Sequence, residues 1–120
     1  MPQKDLLELA RRIEAAPVMT ADLANAALHA LRASFPGEAA AGQVPDTAVY
    51  ATDAIIALVV AALPGWHFSI HGRARPGVGP WSCTLRRSDV LDDDEILGTG
   101  EAPALSQALL VAVLRVAALR

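Results

Sequence analysis

Cysteine, lysine and aromatic residues are scarce in this sequence, and it has no long apolar run. Cys83 is the only cysteine, so no disulfide can form within the chain and no oxidising compartment is indicated. The longest unbroken apolar stretch, residues 54–63, has ten residues, whereas a membrane-spanning helix needs roughly 20. Asp5 and Glu8 do not fit the basic, then apolar, start of a signal peptide. We therefore expect a cytoplasmic protein with no membrane partner.

A surplus of basic residues is also missing. The chain carries 10 Lys and Arg against 13 Asp and Glu, and Lys4 is the only lysine. Because nucleic-acid binders need basic residues to neutralise phosphates, this balance disfavours non-specific nucleic-acid binding, although a local basic patch stays open. The preference for Arg, with abundant Ala, Gly and Pro, is typical of a GC-rich bacterial or phage genome. The expected compartment is thus the cytoplasm of a bacterial host cell.

The abundant residues are small or flexible aliphatics. Ala occurs 25 times and Leu 16 times among 120 residues, and hydrophobic residues make up 53% of the chain. Both residue types favour helices, and Ala is depleted from strands. The length is that of one domain. Composition therefore predicts a single domain built mainly from close-packed helices.

Apolar periodicity predicts four helices. They cover residues 4–15, 20–34, 48–63 and 103–119. Thr20 is the expected cap of the second helix, and Pro103 suits the first turn of the last. The third is apolar nearly all round, so we expect it to be buried on more than one side, between other elements or between subunits.

The chain divides into three parts within one domain. Residues 1–35 form an N-terminal helical pair, residues 36–47 are a connector rich in Ala, Gly and Pro, and residues 48–120 form a helix-hairpin-helix sandwich core. In that core, period-two alternation predicts two strands joined by a long hairpin loop at residues 72–80. A short third strand is expected near residues 95–99. The alternating apolar positions are Trp66, Phe68 and Ile70 in the first strand and Trp81, Cys83 and Leu85 in the second.

The predicted fold class is α+β, with a small antiparallel sheet of two or three strands flanked by helices in the order ααα-ββ(β)-α. The core carries the segments Tyr50-Ala-Thr-Asp-Ala-Ile-Ile-Ala-Leu and Leu63-Pro-Gly-Trp66, a strand at Trp81, and Gly100-Glu-Ala-Pro-Ala-Leu before the last helix. In these features it resembles the phage ABA-sandwich domain family, small proteins common in bacteriophages and prophages. The resemblance implies a sheet flanked by helices and a phage or prophage origin, but no activity and no site residues. Residues 72–80 and 89–95 depart from the family's pattern.

The element order also has a weaker similarity to double-stranded-RNA-binding domains. Such domains place lysines at the start of their last helix to grip phosphates across a groove. Here the equivalent stretch, residues 102–108, contains no basic residue. The similarity therefore extends to topology and not to the RNA-binding side chains.

Two histidines and an acidic cluster are the candidates for metal chemistry. His67 and His71 fall on one face of the first strand with Ser69 between them, but no third ligand follows at a recognisable spacing. Residues 89–95 hold five carboxylates, without the alternation and glycine of a calcium loop. We expect a solvent-facing strand and a solvated turn in these two places, and we assign no metal ligand.

Four arginines gather on and around the hairpin: Arg73, Arg75, Arg86 and Arg87. They either neutralise the acidic cluster downstream or, together with His67 and His71, offer a contact surface to a partner. No phosphate-binding loop or nucleophile elbow is present, and Cys83 lies at an inward-facing position, so we predict no cofactor and no catalytic residue.

Three hypotheses of function follow. The first is a non-catalytic phage or prophage accessory protein that binds a phage or host protein. It is also expected to form a homodimer, because the apolar helices at residues 48–63 and 103–119 exceed what so short a chain can cover. The second is a nucleic-acid-binding accessory protein that uses the Arg-rich hairpin. The third is a small metal-dependent enzyme built on His67, His71 and the acidic turn.

Overall fold

The computed structural model describes residues 2–35, 52–72, 81–87 and 97–119. In chain order the elements are helices α1 (Gln3–Ala15), α2 (Ala21–Ser34) and α3 (Thr52–Ala62), strands β1 (His67–His71), β2 (Trp81–Arg86) and β3 (Leu97–Ala102), and helix α4 (Leu105–Leu119). The strands form one antiparallel sheet in the order β1-β2-β3. This arrangement confirms the predicted α+β class, with the third strand formed.

The register of the sheet separates an apolar face from a polar one. Ser69 of β1 lies opposite Thr84 of β2, which lies opposite Thr99 of β3. The alternate residues point the other way, and there Cys83 and Leu85 are fully buried. Since side chains of a strand alternate between the two faces, apolar and polar residues lie on opposite sides of the sheet. The described helices cover the apolar side, and the polar side faces solvent.

Helix α4 lies unusually close to β3. A Cβ atom built on Gly98 or Gly100 would overlap the α4 backbone, at the carbonyl oxygens of Ala112 and Ala108 respectively. Only glycine leaves room for such an approach of two backbones. The third strand extends to Ala102, beyond the predicted residues 95–99. Gly98 and Gly100 lie within this strand and allow the helix to pack against it; they do not mark the start of the last helix.

The central element of the core is α4. From Gln107 to Ala118 every residue except Arg115 is buried, since the sheet lies on one side of the helix and α1, α2 and α3 contact it from others. Helix α3, by contrast, has an exposed side on which Val60 is 58% exposed. Within the described chain α3 is therefore not enclosed between other elements, and α4 takes that position; burial of α3 between subunits, the other alternative, stays a prediction.

Specific polar contacts fix the ends of the helices. Thr20 Oγ1 accepts a hydrogen bond from the Leu23 N–H at 3.3 Å, which confirms the predicted cap of α2. At the end of α1, Gln107 Nε2 donates to the carbonyl oxygens of Ile13 at 2.7 Å and Ala16 at 2.8 Å. Gln107 thus gives the Ala16 carbonyl a donor and adds a second donor to the Ile13 carbonyl, which also accepts from the Ala16 N–H at 3.2 Å.

Among the described helices, none has both the length and the apolar content needed to cross a membrane.

Candidate functional site

The polar side of the sheet is the main candidate surface, and we call it the outer face. Eight residues on this face have side chains that the structure describes: His67, Ser69, His71, Ser82, Thr84, Arg86, Thr99 and Glu101. Five of them are exposed, and the three on the central strand are half-buried. The strand backbones hold these side chains in rows, and α4 packs against the opposite side of the sheet. The outer face is therefore a polar surface on a rigid support.

The structure brings four of the six predicted contact residues together, three on this surface and one beside it. His67 and His71 lie at the two ends of β1, and Arg86 lies directly across from His67 on β2. Arg87 follows β2 and is exposed. Arg73 and Arg75 fall outside the described residues, and so does the acidic cluster at residues 89–95, so the alternative that the arginines neutralise this cluster stays a prediction.

The two histidines do not form a metal pair by themselves. Both are exposed on the same face of β1, as predicted, but their Cα atoms lie four residue steps along the strand, or about 13 Å, apart. Zinc-binding nitrogens lie about 2.0–2.1 Å from the metal, which requires side chains that converge. In the described part of the chain, no group of three His, Cys, Asp or Glu side chains is placed to hold a metal ion.

Cys83 belongs to the core. It lies at the middle of β2 on the side that faces α4, and its residue is 1% exposed. Burial raises the pKa of the Cys83 thiol to about 11, because a thiolate loses its hydration there. The thiolate is the reactive form of cysteine, so this side chain behaves as a small apolar group at neutral pH.

The tryptophans also lie on the inner side of the molecule. Trp66 and Trp81 are half-buried and pack against the apolar core, as predicted. None of the eight outer-face residues is Trp, Tyr or Phe. The outer face therefore lacks the aromatic side chains on which the bases of single-stranded nucleic acids stack.

The outward edge of β3 is closed by an ion pair, which we call the edge clasp. Glu14 of α1 and Arg115 of α4 form two hydrogen bonds of 2.9 Å. Arg115 Nη1 also donates to the Thr99 carbonyl oxygen at 2.8 Å, and the Glu101 N–H donates to Glu14 Oε2 at 3.0 Å. The two side chains thus occupy backbone groups of β3 that a further strand would otherwise use.

The edge clasp also sets the charge state of Glu14. The hydrogen bond from Arg115 lowers the pKa of the Glu14 carboxyl, and the Glu101 N–H adds to this effect against the opposing influence of burial. Sequence reasoning missed this pair because its members lie 101 positions apart. The one available signal was Arg115 itself, a charged residue that interrupts the apolar surface of the last helix.

The other edge of the sheet has no such cover among the described elements. Strand β1 contacts β2 and no other described helix or strand. Ile70 of this strand is 37% exposed although it lies on the apolar side of the sheet. Among the described residues, the sheet thus has one closed edge at β3 and one open edge at β1.

No protein-family model, curated protein or solved structure matches this chain.

Proposed function

We propose that this protein is a non-catalytic accessory protein of a phage or prophage and that it binds a phage or host protein through the outer face of its sheet. The observation that carries the proposal is the one-sided sheet. Its inner face is packed against α4, whereas the outer face presents hydroxyl, imidazole, guanidinium and carboxylate groups to solvent. Protein partners are recognised through such mixtures of donors and acceptors on a rigid support.

The charge on the outer face favours a protein over a nucleic acid as the partner. Arg86 and Glu101 contribute opposite charges to the same surface, and the whole chain carries a formal net charge of −3. Nucleic-acid binding draws most of its affinity from an excess of basic groups. A nucleic-acid-binding function is the second candidate, because Arg86 and the neighbouring Arg87 place two basic residues on or beside the outer face.

The position of α4 also disfavours the binding mode of double-stranded-RNA-binding domains. Such a domain needs the start of its last helix at the surface, with basic side chains toward the phosphates. Here Gln107, near the start of α4, is buried and bonded to the end of α1.

The phage or prophage origin is supported by the resemblance of residues 50–119 to the phage ABA-sandwich family. The identity of the neighbouring genes on the chromosome or phage genome tests this origin directly.

Affinity capture with matched variants tests the proposal. The bait is the wild-type chain, a Thr84→Lys variant at the centre of the outer face, or an Asn25→Lys variant on the exposed side of α2. The source is a lysate of the bacterium that carries the gene, before and after phage induction. We expect at least one protein that the wild type and Asn25→Lys retain equally and that Thr84→Lys retains at least tenfold less.

Two results would contradict the proposal. One is a set of captured proteins that is the same for all three baits, because the outer face would then not be the binding surface. The other is binding of labelled DNA or RNA in fluorescence anisotropy, if that binding weakens steeply with salt and on changing Arg86 and Arg87 to Ala. The second result would replace the proposal by the nucleic-acid-binding candidate.

A further inference from the structure

The open edge of the sheet exposes a definite set of backbone groups. On β3, the Thr99 carbonyl and the Glu101 N–H point away from β2, because they bond to the edge clasp. In an antiparallel pair the backbone groups of successive residues point alternately to the two sides of the strand. Gly98 and Gly100 therefore bond to their opposite residues on β2, which are Leu85 and Cys83.

The same alternation continues across β2 to β1. Since Cys83 and Leu85 bond toward β3, Thr84 bonds toward β1, where it lies opposite Ser69. Ser69 thus uses its backbone groups within the sheet, and its neighbours Phe68 and Ile70 direct their N–H and C=O groups to the open edge. These four groups are the ones that an added strand would meet.

The sequence of β1 is symmetric about Ser69. It reads His67-Phe68-Ser69-Ile70-His71, so each residue has a residue of the same class at the mirror position. When two copies of such a strand pair antiparallel about a two-fold axis at Ser69, imidazole meets imidazole, apolar meets apolar and hydroxyl meets hydroxyl. A two-fold interface makes every contact mutual, so that residue i meets residue j and j meets i, and in β1 these mutual pairs join side chains of the same class.

We propose that two copies of this chain associate through their β1 strands, antiparallel and centred on Ser69, to form a six-stranded sheet. In this register Phe68 of each copy lies opposite Ile70 of the other. Both residues direct their backbone groups outward, so the pairing forms four backbone hydrogen bonds between the chains. The exposed side of Ile70 is then covered by Phe68 of the second copy, on the apolar side of the sheet.

The small surface area buried between the two β1 strands sets the expected affinity of the dimer. Two five-residue strands bury less than the roughly 1,200 Å² of total surface that marks the lower end of stable interfaces. We therefore expect a weak dimer in rapid exchange, with a dissociation constant on the order of 100 µM. The inference does not rest on the function proposed above, because it uses the strand edge and the apolar side of the sheet instead of the outer face.

Two measurements test the proposal, and the first is sedimentation of the full chain from 5 µM to 1 mM. We expect the wild type and the Thr84→Lys variant to shift from monomer to dimer over this range. An Ile70→Pro variant lacks one of the outward N–H groups, which an edge strand can spare for folding, and it is expected to stay monomeric. A wild type that is monomeric at 1 mM overturns the proposal and leaves the outer-face proposal standing.

The second measurement is disulfide cross-linking, which does not depend on the folding of the proline variant. In the proposed register the Ser69 residues of the two copies form a non-hydrogen-bonded pair with Cα atoms about 4.5 Å apart, within the range of a disulfide. The His67 residues of the two copies lie about 13 Å apart in the same arrangement. Because Cys83 is buried, the introduced cysteine is the one that reacts.

We expect the Ser69→Cys variant to form a disulfide-linked dimer at least tenfold faster than the His67→Cys variant under mild oxidation at 100 µM. Both positions are exposed on the same face of the same strand, so random collision would cross-link them at similar rates. Equal rates, or faster reaction of His67→Cys, would overturn the proposed register.

Discussion

Replacing Glu14 by Gln removes the charge of the edge clasp and keeps the size of the side chain. In the wild type, the two carboxylate oxygens accept hydrogen bonds of 2.9 Å from Arg115 and one of 3.0 Å from the Glu101 N–H. An amide has a single oxygen for these donors, and its NH₂ group faces a guanidinium that also donates. At least one of the three contacts is therefore lost in the Glu14→Gln variant.

The expected cost follows from the surroundings of the pair. The Arg115 and Glu14 side chains are 26% and 30% exposed. Solvent therefore screens their interaction less than it would at an open surface, but some screening remains. Hydrogen bonds to charged groups contribute roughly 1.5–3 kcal/mol, and fully exposed pairs about 0–1 kcal/mol. Between these limits, we expect Glu14→Gln to lower the free energy of unfolding by about 1–2 kcal/mol.

Urea unfolding followed by circular dichroism measures this loss. For a small domain with a slope of about 1.5 kcal/mol/M, the midpoint should fall by about 1 M. Glu8→Gln on the same helix is the matched control, because Glu8 pairs with Arg11 at 2.7 Å but both side chains are more than half exposed. Wild-type stability in the Glu14→Gln variant, or an equal loss in the control, would refute the role assigned to the clasp.

The stabilisation by the clasp depends on pH in a definite direction. The pKa of Glu14 is lowered in the folded protein from its ordinary value of 4.5. The contribution of the ionised carboxylate is therefore complete above this ordinary value and is lost as the pH falls through the lower, folded value. The stability difference between the wild type and Glu14→Gln should be constant from pH 6 to pH 8 and should shrink toward zero in strong acid.

Three further substitutions or reactions test the packing around the sheet. Gly100→Ala forces α4 away from β3 and should cost about 1–3 kcal/mol of unfolding free energy, whereas Thr99→Ala on the outer face of the same strand should cost clearly less in the same urea titration. Gln107→Leu leaves the Ala16 carbonyl oxygen without its side-chain donor and the Ile13 carbonyl oxygen with the Ala16 N–H alone, and it should cost about 1–3 kcal/mol, measured in the same way. Cys83 should resist a thiol reagent at pH 8 in the folded protein and react in urea; rapid labelling without denaturant would contradict its place in the core.

Local pattern was enough to predict most elements of the fold and the polar side of the sheet. The spacing of apolar residues in α1 and the alternation along β1 and β2 depend on the geometry of a single element, so they can be recognised from short stretches of chain. The same alternation placed His67 and His71 together on the solvent side, where the structure has them.

The features that were missed depend on contacts between distant parts of the chain. In the sequence, Gly98 and Gly100 look like the residues that commonly precede a helix. That they allow α4 to pack closely against β3 is visible only once strand and helix are placed side by side. Two helices are apolar nearly all round, and their sequences do not indicate that α4 is central and α3 peripheral. The edge clasp joins the first helix to the last, so no local pattern predicts it.

Amide hydrogen exchange of the dilute protein tests directly whether the sheet is closed at its β3 edge and open at its β1 edge. We expect slow exchange at Glu101, whose N–H is bonded to Glu14, and fast exchange at Phe68 and Ile70 in a 20 µM sample. Raising the concentration to 1 mM should slow Phe68 and Ile70 and leave Glu101 unchanged. Fast exchange at Glu101 would show that the β3 edge is not closed, and full protection of Phe68 and Ile70 in the dilute monomer would show that the β1 edge is not open.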